Sequence, residues 1–131
     1  MTNNFYFSDI SLKRLSTCKK ELQEIMNEAI KQTEIDFTIV CGYRGKAEQD
    51  EAYFNGFSMV KWPNSRHNKY PSGAVDICPY YNGCLQWEDV TAFEYLAELI
   101  KTVSADIGYD IEWGGDWENF VDMPHFQLSE V

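Results

Sequence analysis

The stretch Ser65–Cys84, SRHNKYPSGAVDICPYYNGC, places a loop, a strand and a turn in immediate succession. Gly73 to Tyr80 reads as a buried strand. Asn82-Gly83 follows, a dipeptide suited to the positive-φ positions of a tight hairpin, so the chain is expected to turn back into Cys84–Trp87. Upstream, Gly56 to Ser72 holds Pro63, Pro71 and many polar residues, which marks a long loop. Loops of that length inside a compact domain are usually functional or disordered. A loop feeding a central strand is therefore the first place to look for chemistry.

Working outward, Asp36 to Tyr43 (DFTIVCGY) is rich in β-branched and aromatic residues and too short for a typical helix, which predicts a second strand. From Lys19 to Gln32 the apolar residues Leu22, Ile25, Met26, Ala29 and Ile30 fall on one helical face, with Glu and Lys on the other. Gly45 breaks the strand, and Lys46 to Phe54 reads as a short polar helix. On the C-terminal side, Thr91 with Glu94 resembles a capping box. It opens a helix whose Phe93, Leu96, Ile100, Val103 and Ile107 share a face, and Gly108 ends it. Ile111–Trp117 and His125–Leu128 read as closing strands. Helices on both flanks of a small, mostly antiparallel sheet make an α+β fold.

Composition agrees. The chain has 131 residues, with 44% hydrophobic, 24% charged and 15% aromatic residues, which excludes a disordered tail, a collagen and a coiled coil. One domain spanning 1–131 is expected, since domains mostly run about 100–150 residues. The net charge is −10, and the basic residues are scattered, so a nucleic-acid backbone is an unfavourable partner. No stretch approaches the roughly 18 apolar residues of a membrane span. Met1 to Ile10 has neither a basic nor an apolar signal region, so the reading is a cytoplasmic start without a signal peptide. The cysteines Cys18, Cys41, Cys78 and Cys84 show no C-x-x-C spacing. Cys78 and Cys84 can pair across a turn, but buried free thiols are the preferred reading. Tyr80, Tyr81, Trp87, Trp113 and Trp117 are assigned to packing rather than to sugar stacking.

The chain has two histidines, His67 and His125, each in or beside a loop and each with an aspartate nearby: Asp76 after His67, Asp122 before His125. Two imidazoles and a carboxylate are a recurrent ligand set for catalytic zinc, with water in the fourth position. A further carboxylate beside that water can act as general base. On histidine count alone, hydrogen-bonded loop histidines are the more ordinary explanation.

The wording around them changes that balance. Ser65-Arg66-His67 followed by Ser72-Gly73-Ala74-Val75-Asp76 resembles the S-x-H…G-x-A-x-D signature of zinc peptidases that cut peptidoglycan stem peptides. Gly114-Gly115-Asp116-Trp117 and Asp122-Met123-Pro124-His125 resemble its second half. The family contains D,D-carboxypeptidases, D,D-dipeptidases and phage L-alanyl-D-glutamate endopeptidases. Ser11-Leu12 to Leu22-Gln23 looks like the family's opening helices, and Asp36–Arg44 with Gln49 resembles its arginine-bearing segment. The resemblance spans nearly the whole chain and is nearest to the single-domain phage endolysins.

The resemblance implies one zinc ion per chain held by His67, Asp76 and His125, with Asp122 as catalytic acid–base. Arg44 matches the arginine that holds a substrate carboxylate or the oxyanion, a role suited to a permanently charged fork. Ser65 and Asp116 match positions that orient ligands. Two departures stand out. His67 and Asp76 are nine positions apart rather than the family's commonest seven, so Tyr70-Pro71-Ser72 would bulge outward. Gln127 stands where a glutamate often follows the last histidine. The implied function is a zinc metallopeptidase on stem peptides, foremost an L-alanyl-D-glutamate endopeptidase acting as a monomeric endolysin, let through the membrane by a holin. A D,D-carboxypeptidase or dipeptidase with the same metal site, and a silent wall-peptide-binding module, are the alternatives.

Overall fold

A computed structural model describes residues 3–129. In chain order the elements are helices α1 (Asp9–Leu15) and α2 (Lys20–Gln32), strand β1 (Phe37–Cys41), helix α3 (Lys46–Phe54), a short 3-10 turn at Arg66–Asn68 and strands β2 (Ala74–Tyr81) and β3 (Cys84–Leu85). Helix α4 (Val90–Ile107), strand β4 (Ile111–Trp113), a second 3-10 turn at Gly114–Asp116 and strand β5 (His125–Leu128) complete the described chain. The sheet runs β1-β2-β5-β4, with β3 paired to β2, and every pairing is antiparallel. This is the α+β architecture read from the sequence.

The apolar stripe of α2 does what its spacing predicts: Leu22, Ile25, Met26, Ala29 and Ile30 are all buried. They meet Phe93, Leu96, Ala97, Ile100 and Val103 of α4 and the inward side chains of β1 and β2, among them Phe37, Ile39, Val75 and Ile77. Burying such side chains is worth roughly 1.5–3 kcal/mol each, so this one cluster fixes the sheet against its helices. None of the described helices is long and apolar enough to cross a membrane.

Several boundaries differ from the sequence reading, each for a local reason. Helix α4 is capped by Asp89, whose side chain accepts from the Ala92 amide, so Thr91 lies inside the helix rather than at its cap. Ile107 is part-exposed at the last turn, where Gly108 (φ 105°) ends the helix. The strand expected over Ile111–Trp117 stops at Trp113, because the next three residues coil into a 3-10 turn. Asn82 and Gly83 both take positive φ, as the hairpin required, yet β3 is only two residues long. All four cysteines are free, and Cys84 is exposed rather than buried.

Candidate active site

The strand register assembles the site before any side chain is considered. Asp76 on β2 is the direct cross-strand partner of His125 on β5. Residues facing one another in an antiparallel pair have Cβ atoms about 4.5–5.5 Å apart, so two polar side chains there are forced together. His67 reaches the same point from the long loop. Ser65 caps the Arg66–Asn68 turn, its Oγ accepting from the His67 amide and its own amide donating to Asn68 Oδ1. The long His67–Asp76 spacing is absorbed outside, where Tyr70 is 69% exposed, and the ligand ends still meet.

His67 Nε2, Asp76 Oδ1 and His125 Nδ1 form a nearly equilateral triangle with sides of 3.2, 3.2 and 3.3 Å. For metal–ligand bonds of about 2.0–2.1 Å, neighbouring ligands of a tetrahedral site are separated by about 3.3–3.4 Å. The triangle therefore has the dimensions of one face of such a site. The far side of each imidazole is occupied by an acceptor. His67 Nδ1 lies 2.7 Å from the Gly42 carbonyl, and His125 Nε2 lies 2.8 Å from Gln127 Oε1. A nitrogen that donates there leaves the other nitrogen's lone pair for the triangle, the arrangement metal-binding histidines need. Cys41 lies beside the other edge, its Sγ 4.0 Å from His67 Nδ1, and is a further potential donor close to His67 and Asp76.

Gly42 stands where nothing larger fits. A Cβ there would stand 2.3 Å from Thr17 Oγ1 and 2.5 Å from the Arg14 carbonyl. The same applies at Gly114, whose Cβ would come within 2.2 Å of the Asp122 carbonyl. That contact fixes the turn carrying Asp122, which also donates its amide to Gly114, accepts from the His125 amide and rests under Trp113, whose Nε1 donates to Met123. Asp122 Oδ2 consequently sits 3.9 Å from His125 Nδ1, at the edge of the triangle.

Arg44 follows β1 and is tied in twice. Its Nη2 donates to Asp76 Oδ2 at 3.2 Å and its Nη1 to Gln49 Oε1 at 3.0 Å. Gln49 is wholly buried and uses every hydrogen-bonding position, accepting also from Asn68 and donating to Ser58 Oγ and the Val60 carbonyl. One side chain thus joins Arg44, the His67 turn and the loop over 57–60.

Charge follows geometry. Burial works against an imidazolium at His67, but the Asp76 carboxylate outweighs it and pushes the histidine up to about 10. Burial would raise Asp76, yet His67 and His125 hold it well below the usual carboxylate range. Asp122 moves the other way: burial and the Asp76 charge raise it, against the pull of His125, His67 and Arg44. The two carboxylates are thus pushed in opposite directions by their surroundings.

All of these groups open onto a cleft of about 800 Å³. Phe57, Met59 and Val60 line it, as do Trp87, Trp117 and Phe120. Trp117 lies against His125, ring centroids 5.1 Å apart.

The residues singled out in the sequence meet here with one exception. Asp116 makes a 2.6 Å ion pair with Lys101 and its side chain is 56% exposed, so it orients no ligand. Sequence reasoning missed Gly42, whose carbonyl carries no side-chain signal, and the acceptor role of Gln127. A glutamine has both an acceptor and a donor end, so replacing a glutamate there still leaves an oxygen for His125.

A family model for the phage L-alanyl-D-glutamate peptidase matches residues 3–128. The chain belongs to that family. It is a peptidase, and therefore a hydrolase. Among its relatives is the L-alanyl-D-glutamate peptidase of Escherichia phage T5, 34% identical over 114 residues, which cover 87% of this chain and 82% of the relative. Another is the peptidoglycan L-alanyl-D-glutamate endopeptidase CwlK of Bacillus subtilis (strain 168), 26% identical over 121 residues, 83% of this chain and 70% of CwlK. The crystal structure of the Serratia marcescens L-Ala D-Glu endopeptidase ChiX superposes with a TM-score of 0.82 at 27% identity, covering 96% of this chain and 92% of ChiX.

Proposed function

We propose that this member of the family is a single-domain, zinc-dependent endopeptidase that hydrolyses the L-alanyl-D-glutamate bond of peptidoglycan stem peptides. His67, Asp76 and His125 hold the metal, and the protein works as a monomeric endolysin reaching the wall after holin-mediated release. The observation that carries the metal assignment is the 3.2–3.3 Å triangle, with both imidazoles aimed by acceptors behind them. Bound there, zinc would supply Lewis acidity for the attack of water on the peptide carbonyl.

The chain's own groups do the rest. Asp122 takes the proton of the attacking water, then returns it to the departing amine of D-glutamate. Its burial-raised pKa suits a group that must both accept and give up a proton. Arg44 tethers Asp76 through one nitrogen and gives the cleft wall a permanent positive charge for the oxyanion of the tetrahedral intermediate. Metal analysis of protein purified without chelator tests the assignment. About one zinc per chain, lost in His67→Ala and His125→Ala, is the expected result, as a three-ligand site requires. Wild-type protein that takes up no zinc contradicts it.

A further inference from the structure

Behind His125 the hydrogen bonds continue in one direction. His125 Nε2 lies 2.8 Å from Gln127 Oε1, and Gln127 Nε2 donates to Glu112 Oε2 at 3.4 Å. Glu112 and Gln127 are direct cross-strand partners on β4 and β5, so the register holds the two side chains together. Gln127 is buried at 9% exposure, whereas Glu112 is exposed on the outer strand.

We infer that Glu112 is a positioning residue for the metal site: it selects which end of the Gln127 amide faces His125 and thereby the imidazole tautomer. An amide can present either its oxygen or its NH₂. With the oxygen toward His125, the proton resides on Nε2 and the Nδ1 lone pair points into the triangle. With the NH₂ toward His125, Nε2 must accept, the proton moves to Nδ1, and that nitrogen cannot ligate. A carboxylate only accepts, so Glu112 binds the NH₂ end and forces the oxygen inward. A glutamate at 127 would need no such selection, because either of its oxygens accepts. With glutamine at 127, that selection falls to Glu112.

This rests on His125 being a ligand, and the test separates the two claims. Zinc affinity is measured by competition with a chromophoric chelator for the wild type, Glu112→Ala, Gln127→Glu and the double variant Glu112→Ala/Gln127→Glu. Glu112→Ala should bind zinc about 10–100-fold more weakly, the usual cost of losing a group that orients a ligand. Adding Gln127→Glu to it should recover most of that loss, which a merely structural Glu112 would not allow. Gln127→Glu with Glu112 retained sets two carboxylates against each other and should be less favourable than the double variant. Unchanged affinity in Glu112→Ala, or no recovery in the double variant, overturns the inference alone. A wild type without zinc affinity overturns the metal assignment beneath it.

Discussion

Asp76 Oδ1 and His125 Nδ1 lie 3.3 Å apart because their backbones are register partners on β2 and β5. The pair is a product of strand pairing, and the loop histidine is added to it. Asp76 also carries Arg44 on its other oxygen, so it links the triangle to the cleft wall. Asp76→Ala should lose zinc and activity together while the apolar core keeps the fold. Metal content and circular dichroism on the same preparation check both halves of that expectation.

Asp122 should behave differently. Its carboxylate stands at the edge of the triangle, 3.9 Å from His125 Nδ1. Asp122→Asn keeps the size and removes the basicity, so zinc should be retained while turnover falls about 10²–10⁴-fold. A fully active Asp122→Asn enzyme would end the acid–base assignment.

Arg44→Lys keeps the charge but cannot span both Gln49 and Asp76, since a lysine offers one nitrogen and no fork. Activity should drop about 10–100-fold, as for other groups that hold a metal ligand. Digestion of sacculi at the wild-type rate would reduce Arg44 to a surface cation.

Gly114→Ala tests the turn rather than the chemistry. The new methyl would meet the Asp122 carbonyl at 2.2 Å and the Asp122 Cβ at 3.0 Å. Overpacking of this kind costs about 1–3 kcal/mol, and here it displaces Asp122, the proposed base. Thermal denaturation should record the stability loss, and turnover should fall with it.

The metal-free protein should show an alkaline decline in stability. His67 is raised from 6.5 to about 10 in the fold, chiefly by Asp76 against the opposing effect of burial. A raised group stabilises fully below its unfolded value and loses that contribution as pH climbs through the folded one. The Tm of metal-free protein should therefore fall between about pH 6.5 and 10. The depressed Asp76 adds stability above its ordinary 3.8, lost only in stronger acid. Zinc requires a neutral imidazole, so uptake at pH 7 should release the His67 proton, measurable by calorimetry in buffers of different ionisation enthalpy. A flat Tm across that alkaline range would contradict the charge pattern.

Much of this was legible in the sequence because the informative residues are chemically distinctive. The chain has two histidines, each with an aspartate nearby, and the wording around them that resembles the peptidase signature picks them out. The stripes of α2 and α4 follow helical spacing into the core. What escaped was carried by backbone or by direction. The Gly42 carbonyl behind His67 has no residue-type signature. Gln49 is marked in the sequence by the resemblance to the family's arginine-bearing segment, but not its full burial or its bonds to Arg44, Asn68, Ser58 and Val60. Asp116 was the converse: its neighbourhood in sequence suggested the site, but the 3-10 turn after Trp113 aims it at Lys101 on α4. Glu112 could not be found at all without the β4–β5 register.

Metal-dependent hydrolysis of one stem-peptide bond can be read directly by mass spectrometry of fragments released from purified sacculi. Digests run with wild-type protein should yield stem peptides with a new D-glutamate N-terminus and glycan strands whose stem stubs end in L-alanine. A chelator should abolish both, and added zinc should restore them. Release that continues unchanged in chelator would contradict the metal mechanism, and release of terminal D-alanine in place of those products would contradict the assigned bond.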